Sequence, residues 1–243
     1  MKHPDKKEKV ALVTGGSRGL GRAICLRLAQ AGHTIIVNYR SSGKESEAVV
    51  REAGGAGFAC QADVGYRDQV DAMVREVEKR YGRLDAVVNN AGITHDRLLV
   101  RQTEAEWDEV IRTNLTGCVH LIQAAAPLLA ESGGGHILNI SSYSGLHGSA
   151  GQAAYSASKA ALFGLAFTAA QELGSMNIRV NCLLPGYLPT DLGRGNDAAL
   201  AKARERSIMK SLSSLDDAAA FVAYILSTES VTGQVFTLDS RIS

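Results

Sequence analysis

Short apolar runs rich in β-branched residues alternate with longer helix-period stretches along almost the whole chain, and few folds accommodate that rhythm. Val10–Thr14, Thr34–Tyr39, Gly57–Gln61, Leu84–Asn89, His136–Ser141, Ile178–Leu183 and Gln234–Leu238 read as strands. Most are apolar on both faces, as strands of a parallel sheet covered on both sides are. Between them Arg18–Ala31, Lys44–Ala53, Arg67–Tyr81, Glu104–Ala130, Ala153–Leu173 and Leu215–Ser227 read as helices. Strand–helix–strand units close by right-handed crossovers, so the expected fold is a doubly wound α/β sheet of the Rossmann type with helices on both faces. No Pro- or Ser-rich linker, repeat or shift in composition divides the 243 residues, which predicts one domain over 1–243. The longest irregular stretch, Pro185–Lys210, contains Gly193 and Gly195 and reads as a lid over about 185–212, with some helix at Ala198–Arg206.

Composition narrows the function. Twenty-six Lys+Arg against 25 Asp+Glu leave a formal net charge of +1, so no electrostatic ground exists for a nucleic-acid or anionic-membrane partner. No apolar run reaches the roughly 18 residues of a membrane span, and Met1–Lys9 lacks the apolar stretch of a signal peptide. Cys25, Cys60, Cys118 and Cys182 lie far apart, which points to reduced thiols in a cytoplasmic protein. The six histidines have no ligand spacing, so no metal is expected.

The first strand runs into Thr14-Gly15-Gly16-Ser17-Arg18-Gly19-Leu20-Gly21, and a helix follows at once. Glycines there let backbone amides approach a pyrophosphate that the helix N-terminus favours, although such turns also serve packing alone. Its position after the first strand favours dinucleotide binding. At the end of the second strand an Asp or Glu would hold the ribose 2′-hydroxyl of NAD and repel a 2′-phosphate. The chain instead reads Asn38-Tyr39-Arg40-Ser41-Ser42, with no carboxylate before Glu45. Arg18 and Arg40 can face a phosphate, with Ser41 and Ser42 donating to it, which predicts NADP(H). The competing reading is two solvated arginines.

A second constellation lies past the middle of the chain. Tyr155 and Lys159 stand four apart on a helix, with Cβ atoms about 5–6 Å apart. A free phenol has a pKa of about 10, and a neighbouring ammonium should lower it toward a range useful for proton transfer. Upstream, Ser142 closes the fifth strand, where it can hold a carbonyl oxygen or merely cap the following turn. Asn114 interrupts an apolar helix, an unfavourable place for its side chain unless it has a task, such as bending the helix around a water, or a purely local hydrogen bond.

Taken together these residues resemble the short-chain dehydrogenase/reductase family. TGGSRGLG (14–21), Asp63-Val64, NNAG (89–92), Asn114, Ser142, YSASK (155–159) and Pro185-Gly186 stand in the family's order and spacing, from about Val10 to Asp191. Within the family, NNAGITHDRLLVR (89–101), NLTG (114–117) and PGYLPTDL (185–192) read much like 3-oxoacyl-[acyl-carrier-protein] reductases. The resemblance implies a seven-stranded sheet of order 3-2-1-4-5-6-7. It implies hydride delivery from NADPH to a ketone carbon, proton donation by Tyr155, an oxygen held by Ser142, and Lys159 lowering the Tyr155 pKa and holding the nicotinamide ribose. Asn114 would fix a water joining Lys159 to solvent. Gly15, Ser17, Arg18, Gly19, Leu20 and Gly21 would cradle the cofactor, Arg40 and Ser41 its 2′-phosphate, and Asp63 and Val64 the adenine. Asn90, Ala91 and Gly92 would lie along it, with Pro185, Gly186 and Leu188 at the nicotinamide end. A homotetramer, or homodimer, is implied through the helices at Glu104–Ala130 and Ala153–Leu173, and the nearly all-apolar run AALFGLAFTAA (160–170) agrees.

The sequence also departs from that subgroup. Basic residues that would steer an acidic carrier protein are replaced by Glu131-Ser132-Gly133-Gly134-Gly135 and Ser175-Met176-Asn177. Ser207–Leu212 lacks the Pro and Gly commonly found there, and Leu238-Asp239-Ser240-Arg241 lacks the usual Gly-Gly after the last strand. His147 reads as a solvated loop histidine that can also line the cleft. Three readings result: reduction of a 3-oxoacyl thioester, redox chemistry on another small carbonyl or alcohol such as a sugar, steroid or quinone, and a non-catalytic cofactor-binding subunit. Intact Asn114, Ser142, Tyr155 and Lys159 argue against the last.

Overall fold

The computed structural model describes residues 8–188 and 197–241. Its strands and helices alternate as the sequence rhythm requires: β1 (Lys9–Val13), α1 (Gly19–Gln30), β2 (His33–Tyr39), α2 (Gly43–Glu52), β3 (Phe58–Gln61), α3 (Arg67–Tyr81) and β4 (Ala86–Asn89) form the first half. The second half holds α4 (Glu104–Ile111), α5 (Gly117–Glu131), β5 (Gly135–Ile140), α6 (Tyr143–His147), α7 (Ala153–Leu173), β6 (Ile178–Leu184), α8 (Asp197–Arg206), α9 (Leu215–Ile225) and β7 (Val235–Thr237). The described residues build a seven-stranded sheet of order 3-2-1-4-5-6-7 in which every pairing is parallel. This is the expected doubly wound α/β architecture.

Alternation along each strand sends successive side chains to opposite layers. Val10, Leu12, Ile36, Val87 and Ile137 pack toward α3, α5 and α7 with Met73, Leu121, Leu129 and Leu162. Ala11, Val13, Ile35, Val37, Val88 and Leu138 face the other way, against Ile24 and Leu28 of α1 and Val222 and Ile225 of α9. Fully burying a side chain of this size stabilises by about 1.5–3 kcal/mol, so the two layers hold the sheet edge rigidly in place.

Local chemistry sets the helix ends. Thr103 and Glu106 form a reciprocal capping box at the start of α4. Gly82, at φ 62°, stops α3 in the left-handed region. One expectation is corrected: the helix predicted over Glu104–Ala130 is two helices joined by a π-helical turn at Arg112–Thr116, centred on Asn114. The short α6 was not foreseen. Of the expected lid, 185–188 and 197–212 are described, with α8 where helix was expected, and 189–196 lie outside the described residues. Among the described residues no helix is long and apolar enough to cross a membrane, and no group of three or more metal-ligating side chains forms.

Candidate active site

A cavity of about 690 Å³ runs along the carboxyl ends of the strands, the edge where open α/β sheets bind ligands. Its volume falls within the roughly 300–1,000 Å³ typical of small-molecule sites. One end is built of backbone. Gly15, Ser17, Arg18, Gly19, Leu20 and Gly21 line it, and α1 starts behind them with no side chain capping its first turn. Uncapped first-turn amides are donors suited to an anion. The turn is pinned from both sides. Gly16 N donates to Asn38 O at 3.0 Å. Thr14 Oγ1 accepts from the amides of Asn90 and Ala91 at 2.9 and 3.0 Å, while Asn90 Nδ2 donates to Thr14 O at 2.8 Å. The approach is so close that a Cβ on Gly21 would stand 2.3 Å from Gly15 O. This glycine-built recess, with no side chain capping the helix behind it, fits the pyrophosphate of a dinucleotide.

Around this end, Arg40, Ser41 and Ser42 line the wall beyond β2, and Asp63 and Val64 the wall beyond β3. Arg40 Nη1 lies 3.6 Å from Glu109 Oε1, with half of its side chain exposed. Glu109 also bonds His95 Nε2 at 2.8 Å, and that bond, ahead of the charges of Arg40 and Arg112, holds its carboxyl below the usual range. Asp63 Oδ1 accepts from Gly65 N at 2.9 Å, which fixes the turn after β3.

The other end is built of side chains. Ser142, Tyr155 and Lys159 line it together with Asn90, Ala91, Gly92, Pro185, Gly186 and Leu188. Lys159 is buried and donates from Nζ to Ile140 O at 2.8 Å. Burial lowers its pKa. Its Nζ sits 5.8 Å from the Tyr155 ring centroid. The phenol, however, is shifted up rather than down. Burial raises it most, a hydrogen bond with Ser142 opposes that, and the charge of Asp96 adds to the rise. Desolvation therefore dominates the shift, and the lowering expected from the ammonium is not seen in this structure. Of the two tasks that the sequence left open for Ser142 the cap is present: at the start of α6 it accepts from Ser144 N at 3.2 Å, while also meeting Tyr155.

Asn114 alone among the predicted site residues does not line the cavity. It lies fully buried behind it, where Oδ1 accepts from Ile93 N at 2.8 Å and Nδ2 donates to Ile93 O at 2.9 Å and Ser158 Oγ at 3.1 Å. The π turn swings this side chain out of the helix ladder, and a Cβ on Gly92 would stand 3.4 Å from both Asn114 Oδ1 and Lys159 Nζ. Local hydrogen bonding and closeness to Lys159 thus coexist.

Several lining residues escaped the sequence reading: Thr94, Asp96, Tyr143, Gln152, Tyr187, Lys202, Arg206 and Arg241. Gln152, three residues before Tyr155, was within reach of a helical-spacing argument; its Nε2 donates to Asp96 at 3.1 Å and its Oε1 accepts from Ser144 Oγ at 3.1 Å. Arg241 comes from a distant part of the chain and had no such signal. His147 is exposed and does not line the cavity.

Comparison with known proteins agrees with this geometry. The family model described as short chain dehydrogenase matches residues 9–201. The 3-oxoacyl-[acyl-carrier-protein] reductase FabG of Staphylococcus aureus (strain Mu50) is 49% identical over 190 residues, 77% of each chain. The protein of the same name from Staphylococcus epidermidis (strain RP62A) is 43% identical over 232 residues, covering 93% of this chain and 95% of its own. That of Thermotoga maritima is 38% identical over 243 residues, 96% of this chain and 97% of its own.

Proposed function

The chain belongs to the short-chain dehydrogenase family and is an oxidoreductase, and from that premise we propose that it is an NADPH-dependent ketoreductase of 3-oxoacyl thioesters. The single observation that carries the reading is one cavity with an anion-ready glycine turn at one end and Ser142, Tyr155 and Lys159 at the other. The names borne by the relatives point to the substrate class, a 3-oxoacyl group carried on acyl carrier protein, and a coenzyme A thioester presents the same ketone.

When bound, a reduced nicotinamide supplies the hydride that the ketone carbon accepts. Ser142 donates a hydrogen bond to the ketone oxygen, and Tyr155 gives its proton to that oxygen as negative charge develops. A phenol with a raised pKa stays protonated through neutral pH, as an acid in the reductive direction must. Lys159 holds the nicotinamide ribose with the N–H groups not given to Ile140 O. Asn114, its Oδ1 sharing the space below Gly92 with Lys159, fixes a water through which the proton is restored. Gly15, Ser17, Gly19, Leu20 and Gly21 bind the pyrophosphate through their backbone. Arg18, Arg40 and Ser41 take the 2′-phosphate, Asp63 and Val64 the adenine, and Asn90–Gly92 with Pro185, Gly186 and Leu188 the remainder.

The assembly is a homotetramer, or a homodimer, in which the helices around α5 and α7 pair between copies. Phe167 on α7 and Leu99 and Val100 ahead of α4 leave 43%, 65% and 90% of their surface exposed, apolar area that a second copy would cover. The described parts of the expected lid contribute Tyr187, Leu188, Lys202 and Arg206 to the cavity wall of one dinucleotide-binding domain, in a cytoplasmic enzyme. NADPH oxidation with acetoacetyl-CoA, acetoacetyl carrier protein and a panel of unrelated ketones tests the function. Turnover of the thioesters is expected, and turnover of the unrelated ketones alone would overturn the substrate class. A preference for NADH would overturn the cofactor choice, and a monomer in light scattering the assembly.

A further inference from the structure

The end of the described chain folds back into the cavity that holds Ser142 and Tyr155. Leu238 N donates to Leu184 O at 2.9 Å, and Ile208 N to Ser240 O at 3.0 Å. Ser207 and Arg241 then form an isolated antiparallel bridge. These main-chain bonds hold Arg241 against the cavity that its side chain lines. Its Nε donates to Asp239 Oδ1 and Oδ2 at 2.8 and 2.9 Å, and its Nη2 donates to Oδ2. Only 11% and 4% of the two side chains are exposed. The guanidinium covers one ring face of Tyr143, with Cζ 3.8 Å from the centroid, and lies 6.0 Å from that of Tyr187. The His147 ring lies tilted against Tyr143, with centroids 4.2 Å apart. Tyr143 follows Ser142 directly, so this wall stands beside the hydroxyl that would hold the ketone oxygen.

We propose that the Arg241–Asp239 pair is the specificity-determining element of the substrate cleft, closing it with a charged wall that confines the enzyme to 3-oxoacyl thioesters of short acyl chain. The inference rests on the 3-oxoacyl reading above. An apolar chain laid on this wall covers what remains exposed of the guanidinium and returns no hydrogen bond to it. It also finds the Tyr143 face already covered by the guanidinium. A methyl group on the ketone is too short to meet either obstacle.

The experiment measures kcat/KM for acetoacetyl-CoA and 3-oxodecanoyl-CoA with NADPH, in the wild-type enzyme and in the double variant D239N/R241M. Methionine keeps an unbranched side chain without the charge. Asparagine keeps the Oδ1 that accepts from Arg241 N at 2.9 Å, and no lone buried charge remains. The wild type is expected to favour the short substrate, and the double variant to shift the long-to-short ratio roughly tenfold toward the long one, the scale of pocket-shape discrimination. A wild type that reduces the long substrate at least as well overturns the inference, and this arm needs no variant to fold. So does an unmoved ratio in a double variant that binds NADPH normally and melts cooperatively. In either case the ketoreductase reading stands. Failure of the wild type to reduce any 3-oxoacyl thioester while it reduces other ketones removes that reading, and this inference with it.

Discussion

The two ends of the cavity are made of different materials. The nucleotide end is backbone: a glycine turn ahead of an uncapped helix, bolted to the neighbouring strands by Thr14, Asn38 and Asn90. The catalytic end is side chain: a phenol, a hydroxyl and a buried ammonium whose protonation is set by what surrounds them. Shape is easily spoiled by one added atom and insensitive to charge, whereas a proton donor is indifferent to small changes of bulk and lost with one oxygen. Substitutions at the two ends should therefore fail in different parameters.

The largest separation comes from Tyr155→Phe. Turnover is expected to fall by at least about 10²–10⁴-fold, the share of a general acid, while the NADPH dissociation constant stays as it was. Single-turnover kinetics beside a fluorescence titration gives both numbers, and retained turnover would remove Tyr155 from its role.

Gly21→Ala is the counterpart at the other end. Its Cβ would stand 2.3 Å from Gly15 O, backbone that the hydrogen bonds of Asn90 and Asn38 prevent from yielding. Overpacking of this kind costs about 1–3 kcal/mol, so affinity should fall about 5- to 150-fold, equally for NADPH and NADH. A variant that binds both nucleotides at wild-type strength would mean that the turn opens more readily than its hydrogen bonds imply. Arg40→Ala separates side chain from backbone within the nucleotide end. An exposed charge-assisted contact contributes modestly, so KM for NADPH should rise about tenfold or less, with KM for NADH unmoved. An equal rise for both would assign Arg40 to its ion pair with Glu109 rather than to a phosphate.

The two ends also differ in how far they could be read from sequence. The strand–helix rhythm gave the doubly wound class, the family resemblance gave the sheet order, and helix limits such as Arg67–Tyr81 and Ala153–Leu173 followed from periodicity. Local spacing was enough for the glycine turn and for the Tyr155–Lys159 pair, because each lies within one turn of chain. What stayed hidden depends on distance or on burial. Asp96 and Gln152 meet across 56 residues, and Arg241 reaches Tyr143 from the far end of the sheet. The π turn at Asn114 was legible only as an awkward polar residue in an apolar helix. The direction of the Tyr155 shift could not be read at all, since spacing reveals the ammonium but not the desolvation that dominates the shift.

That direction leads to the subtlest test. In reduction Tyr155 must carry its proton, so activity is expected to be level through neutral pH and to fall as pH rises through the phenol's elevated pKa. Asp96 is the last of the causes that lift it, a negative charge that disfavours the phenolate. Asp96→Asn removes that charge and retains an oxygen for the Gln152 amide now bonded to the carboxylate. The phenol's pKa then falls, and the alkaline limb of the kcat profile moves to lower pH. Arg40→Ala, at the opposite end, leaves that limb where it was. A limb that moved upward in Asp96→Asn, or equally in both variants, would show that the profile reports some group other than this phenol, and that the two ends of the cavity are not electrostatically separate.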